Sequence, residues 1–182
     1  MILVTGGDRS GKSVFAEKLA SNYETVLYIA TAEAFDEEMK KRIQKHQNRR
    51  PSHWDTLESY QNLAESIKQK QKDYDCILLD CVTLLLTNLL FLYSHTKDVE
   101  KMDFENLEKK LLQEIEEIAH ICQKAKKQII IVTVEMGLGI VPAEPLSRHF
   151  RDIMGTANQI LAQKAQEVYF VVSGIPMKIK GE

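Results

Sequence analysis

The chain has 182 residues, 24 Lys plus Arg against 26 Asp plus Glu, and a formal net charge of −2 at pH 7. That size suits one domain, 1–182, with a full core and no need for disulfide or metal staples, and the slightly acidic balance excludes the global basic field that nucleic acid or an anionic membrane would require. Cys76, Cys81 and Cys122 are odd in number and lack C-x-x-C spacing, which suits reduced thiols in a cytoplasm. No basic start with an apolar h-region is present, and the most apolar stretch, Val82 to Tyr93, falls short of the roughly 20 residues that span a bilayer. The expected location is the cytoplasm.

The chain opens on an apolar run, Ile2 to Thr5, which reads as a strand. Gly6-Gly7-Asp8-Arg9-Ser10-Gly11-Lys12-Ser13 follows and fits G-x-x-x-x-G-K-[ST], and a helical pattern, Val14 to Ala20, comes next. A phosphate-binding loop needs this strand-loop-helix context. Its glycines let backbone N–H groups turn around a phosphate, Lys12 reaches the β and γ oxygens, and the Ser13 hydroxyl can ligate Mg²⁺. A nucleoside triphosphate, GTP or ATP, with Mg²⁺ is the expected ligand.

Val26 to Ala30 is the second predicted strand. A helix is expected from about Asp36 to His46, with Glu37 and Glu38 in its first turn and Glu37/Lys41 and Glu38/Arg42 spaced i, i+4. Met39, Ile43 and His46 fall on its inward face. Such a histidine is compatible with plain packing, but Arg42, Lys45, Arg49 and Arg50 concentrate positive charge beside it, and guanidinium forks suit phosphate oxygens. A solvated basic helix end is the alternative.

Cys76 to Asp80 is a third strand, and Asp80 at its end suits the carboxylate that faces Mg²⁺ beside the nucleotide; capping the helix at Val82 is the competing role. Ser94 to Met102 reads as a polar loop. Phe104, Leu107, Leu111, Ile115, Ile118 and Cys122 recur every three or four positions, the mark of a surface helix with one core face. Ile129 to Val134 and Val168 to Val172 complete the strands, with Glu135 and the glycines 137 and 139 after the former. Arg148, His149, Arg151 and Asp152 lie along one side of the next helix, as surface or interface residues. From Gly174 onward the tail is a short strand or an irregular extension. Apolar strands alternating with helices imply a layered α/β domain of the P-loop NTPase type with a mainly parallel sheet flanked by helices. Ligands of such sheets sit beyond the strands' carboxyl ends, so the P-loop, Thr31, Asp80 and the Glu135 loop are expected at one crevice.

Across nearly the whole chain these motifs resemble the adenosylcobinamide kinase / adenosylcobinamide-phosphate guanylyltransferases of cobalamin nucleotide-loop assembly. The resemblance rests on Ile2 to Ser13 with Phe15-Ala16-Glu17, Tyr28 to Ala32, Arg42-Ile43 with His46, Arg50-Pro51 with Trp54, Thr56 and Glu58, Asp80 to Thr83 with Thr87 to Leu90, Gly137 to Pro142, Arg148 to Asp152 with Gly155, Asn158 and Gln159, and Val171 to Gly174. It implies phosphorylation of the aminopropanol hydroxyl of adenosylcobinamide, then GMP transfer from GTP to the phosphate through a guanylylated His46. It also implies nucleotide contacts from Gly6 to Ser13, Ala30, Thr31, Ala32, Gln47, Asn48, Arg49, Arg50, Glu58 and Asp80, a corrinoid substrate, and a homo-oligomer with a trimer as one option. The catalytic set is then His46, Lys12 and Asp80, the metal set Ser13 and Asp80, and the kinase base Asp80 or Glu58. Val134 departs from the family's usual asparagine. A metabolite kinase without a covalent intermediate, or a nucleotide switch docking a partner through Leu84 to Leu92, remain the competing readings.

Overall fold

The computed structural model describes every residue except Phe35 and Lys97, and of Arg42 only the backbone. Seven strands, β1 (Ile2–Gly6), β2 (Val26–Ala30), β3 (Asp55–Glu58), β4 (Cys76–Asp80), β5 (Gln128–Val132), β6 (Glu167–Val172) and β7 (Ile175–Lys180), form one sheet in the order β3-β2-β4-β5-β1-β6-β7. All pairings are parallel except that of β6 with β7. The layered α/β architecture expected from the sequence is the one observed.

The pattern of apolar residues explains the layers. On one face Leu3, Leu27, Ile29, Ile77, Leu79, Ile129 and Ile131 meet α3 (Leu63–Lys70), α4 (Val82–Ser94), α5 (Phe104–Lys124) and α6 (Pro145–Lys164). On the other, Val4, Tyr28, Leu78, Ile130 and Val132 meet α1 (Lys12–Ala20). Both faces of β1, β2, β4 and β5 are thus covered. Each buried leucine or isoleucine contributes about 1.5–3 kcal/mol relative to exposure. The predicted α5 stripe is buried at Leu107, Leu111, Ile115, Ile118 and Cys122, and Asp103 caps the helix by accepting from the Asn106 amide at 3.2 Å.

Some boundaries differ from the sequence reading. β5 stops at Val132 because the Thr133 amide bonds to the Val4 carbonyl, the Val134 amide to Thr83 Oγ, and the Glu135 amide to the Gly6 carbonyl. These bonds draw the chain toward β1 and α4. β6 is only half-buried because the antiparallel β7, exposed along its whole length, lies outside it. The short edge strand β3 and helix α3 lacked a sequence signal. Among the described residues no helix is long and apolar enough to cross a membrane.

Candidate nucleotide site

β1 runs into the loop Gly6 to Ser13 at the carboxyl end of the sheet. Gly6 has φ +149°, and a Cβ there would stand 2.3 Å from the Val171 carbonyl oxygen. Gly11 has φ +98°, and a Cβ there would meet Gly174 Cα at 3.1 Å. Only glycine allows this path. The Ser10 carbonyl is held by the Gly174 amide at 2.8 Å, and α1 starts at once from Gly11. A helix N-terminus with converging amides favours an anion. Lys12 is 7% exposed, and its ammonium donates to the Gly7 carbonyl of the same loop at 2.5 Å.

Asp80 ends β4 beside Ala30 and Val132 on the flanking strands. Its Oδ1 accepts from Ser13 Oγ at 3.3 Å and its Oδ2 from the Tyr28 hydroxyl at 2.5 Å. The cap of α4 is Cys81, with no side-chain bond, so the alternative reading of Asp80 as a helix cap does not hold. Ser13 and Asp80 offer hard oxygen donors a few ångströms apart, a set that fits Mg²⁺, which takes one or two protein oxygens and keeps water and phosphate for the rest. Burial, then the charge and hydrogen bond of Asp80, push the Tyr28 hydroxyl far above its ordinary pKa, so it remains a neutral donor.

Helix α2 (Glu37–Arg49) extends three residues past the predicted end and begins with Asp36 accepting from the Met39 amide at 2.7 Å. Met39, Ile43 and His46 are half-buried, as their spacing predicts. His46 Nδ1 lies 3.9 Å from Asp80 Oδ2. The next residues fasten the helix end: Gln47 Nε2 donates to Glu58 at 2.8 Å, Arg49 pairs with Glu17 at 2.8 Å, and the Arg50 guanidinium lies 3.7 Å above the centre of the Tyr28 ring. Glu17, on α1, thereby joins the P-loop helix to α2.

The remaining sequence candidates sort by position. Gly6 to Ser13, Ala30 to Ala32, His46, Gln47, Arg49, Arg50, Glu58 and Asp80 all occupy the same end of the sheet. Asn48 is exposed and accepts from Gln44 Nε2 one turn earlier. Thr31 Oγ bridges the Cys81 amide and carbonyl, and its own carbonyl accepts from Asn88 at 2.7 Å. Asn158 bonds Thr133 Oγ, the Val134 carbonyl and Glu135. Arg148 and Arg151 hold the following loop by its carbonyls, and His149 stacks on Phe104. Tyr28, Glu17, Thr83 and Asn158 enter the sequence reading only as positions that carry the family resemblance, with no role at the site. A buried tyrosine in an otherwise apolar strand was the available signal, since its hydroxyl needs a partner.

Residues 2–179 match the model of a family described as cobinamide kinase / cobinamide phosphate guanyltransferase. The bifunctional adenosylcobalamin biosynthesis protein CobU of Escherichia coli is 48% identical over 180 residues, covering 99% of each chain, as is its namesake from Salmonella typhimurium. The bifunctional adenosylcobalamin biosynthesis protein CobP of Pseudomonas aeruginosa is 42% identical over 181 residues, 99% of this chain and 97% of that one. A solved structure from Pyrococcus horikoshii OT3 superposes with a TM-score of 0.52 at 9% identity, over 100% of this chain and 86% of its own, a likeness of fold alone.

Proposed function

Because the chain belongs to the cobinamide kinase / cobinamide phosphate guanyltransferase family, we propose that its crevice performs two successive reactions, the second through a covalent His46–GMP intermediate. The protein is a bifunctional kinase and guanylyltransferase of cobalamin biosynthesis. The kinase step moves the γ-phosphoryl group of ATP or GTP onto the aminopropanol hydroxyl of adenosylcobinamide. In the transfer step an imidazole nitrogen of His46 bonds to the α-phosphorus of GTP while the bond to the bridging oxygen breaks and pyrophosphate leaves. A phosphate oxygen of adenosylcobinamide phosphate then attacks the same phosphorus, the P–N bond breaks, and adenosyl-GDP-cobinamide departs with His46 restored.

The observation that carries this reading is the placement of His46 beside Asp80, whose other carboxylate oxygen meets Ser13 of the P-loop. Lys12, freed from the Gly7 carbonyl, holds the β and γ oxygens. Arg49, Arg50 and Arg9 neutralise charge on the transferring group, and Gln47 and Glu58 fix the helix end beside the nucleotide. Ser13 and Asp80 would hold Mg²⁺, whose charge would stabilise the phosphate oxygens. Ala30, Thr31 and Ala32 form the crevice floor, and the whole span 1–182 works as one catalytic domain in the cytoplasm, in a homo-oligomer. Phe91, Leu92, Ile140 and Val141, all exposed, supply apolar surface for contact between copies.

Incubation with Mg²⁺ and GTP labelled at the α-phosphate tests the reading. Protein-bound label that is acid-labile and alkali-stable is the expected result. A protein that phosphorylates cobinamide but never retains label has no covalent intermediate.

A further inference from the structure

Asp80 divides its two oxygens between unlike neighbours. Oδ1 faces Ser13, on the phosphate side, at 3.3 Å, and Oδ2 faces Tyr28 at 2.5 Å and His46 Nδ1 at 3.9 Å. A carboxylate fixed by one bond alone is free to rotate about its last torsion, which is broad and two-fold. The Tyr28 hydroxyl removes that freedom. Tyr28 pairs with Leu78, and Asp80 lies two residues further on the same face of the sheet, roughly 6.6 Å along the strand, a span that a tyrosine side chain bridges. The ring itself is 1% exposed and lies beneath the Arg50 guanidinium, so the hydroxyl has little room to move.

Resting on the covalent-intermediate reading above, we propose that Tyr28 is a positioning residue for guanylyl transfer. Its hydroxyl holds Asp80 Oδ2 toward His46 Nδ1, so that Nδ1 carries the ring hydrogen and Nε2 is the nitrogen that attacks the α-phosphorus. Partners of this kind set which ring nitrogen is basic and how the ring points. At 3.9 Å the two groups are in ion-pair range rather than hydrogen-bonded, and catalytic contacts of this kind tighten in the complex with substrate. The same carboxylate keeps Oδ1 for the Ser13 side, so one residue serves both halves of the crevice.

Two measurements test the inference. In the wild-type protein with Mg²⁺, GTP and ¹⁵N-histidine, the phosphorus-nitrogen couplings of the intermediate assign the linkage. GMP on Nε2 is expected, GMP on Nδ1 overturns the role of Tyr28 alone, and no covalent GMP overturns the intermediate itself. Tyr28→Phe keeps the ring under Arg50 and removes only the hydroxyl. It is expected to slow formation of the intermediate about 10- to 100-fold while the GTP dissociation constant stays within about twofold. An unchanged rate, or a loss accounted for wholly by weaker GTP binding, overturns the positioning role, and the linkage measurement stands whether or not the variant folds.

Discussion

The two walls of the crevice are built differently. The P-loop wall grows from strand ends whose neighbours are core: Lys12 is 7% exposed, Tyr28 1%, and Val4, Leu78 and Val132 behind them 1% or less. The opposite wall is α2, which has no fully buried side chain among its described residues and meets the body through the Arg49–Glu17 pair, the Gln47–Glu58 bond and the Arg50–Tyr28 stack. The first two contacts, at the surface, contribute about 0–1 kcal/mol each, and the stack on the buried Tyr28 ring about 0.5–2 kcal/mol. The proposed grip on phosphate therefore rests on the buried fold, whereas the position of the proposed nucleophile depends on a few polar contacts.

The largest expected effect comes from removing the nucleophile. His46→Ala should carry no α-phosphate label in the incubation described above, yet melt within about 4 °C of the wild type, because a half-exposed side chain contributes little to folding. Full labelling of this variant would show that His46 is not the nucleophile. Lys12→Ala should lower both rates about 10²- to 10³-fold and weaken triphosphate binding in calorimetry, since one preorganised donor to the reacting group is lost.

Stability separates the walls more directly. Leu78→Ala should cost about 2–5 kcal/mol in denaturant unfolding and Ile43→Ala on α2 less than about 1.5 kcal/mol. Equal costs would erase the contrast. Glu17→Gln, which breaks the tie between α1 and α2, should cost no more than about 1 kcal/mol.

The smallest signal is chemical. Burial pushes the Cys76 and Cys122 thiols from 9.0 up to about 12. A raised folded value means that their contribution is whole below the unfolded thiol value and is lost as pH rises from about 9 toward 12. Native protein should resist alkylation at pH 8 at both positions, and its denaturation midpoint should fall between pH 8 and pH 11. Rapid labelling of native Cys76 would mean that the core between the sheet and α1 is open at the start of β4.

Much of this was legible in the sequence, for identifiable reasons. The P-loop is local: its spacing, the strand before it and the helix after it lie within about twenty residues. The α5 stripe and the inward face of α2 follow from helical periodicity, and β2 and β4 from apolar runs. β3 escaped because Asp55-Thr56-Leu57-Glu58 is an edge strand with mostly exposed side chains and so lacks an apolar signature. The apolar run carries β5 to Val134, whereas hydrogen bonds to β1 and Thr83, remote in sequence, end it at Val132. The Tyr28–Asp80–His46 arrangement joins three elements through the register of β2 on β4, which no linear pattern encodes.

The Gly174 amide that clasps the Ser10 carbonyl sits in the turn joining the last two strands. The β6–β7 turn is thereby the buttress of the first loop. An engineer who cuts the chain ahead of that turn would slacken the glycine loop some 160 positions upstream.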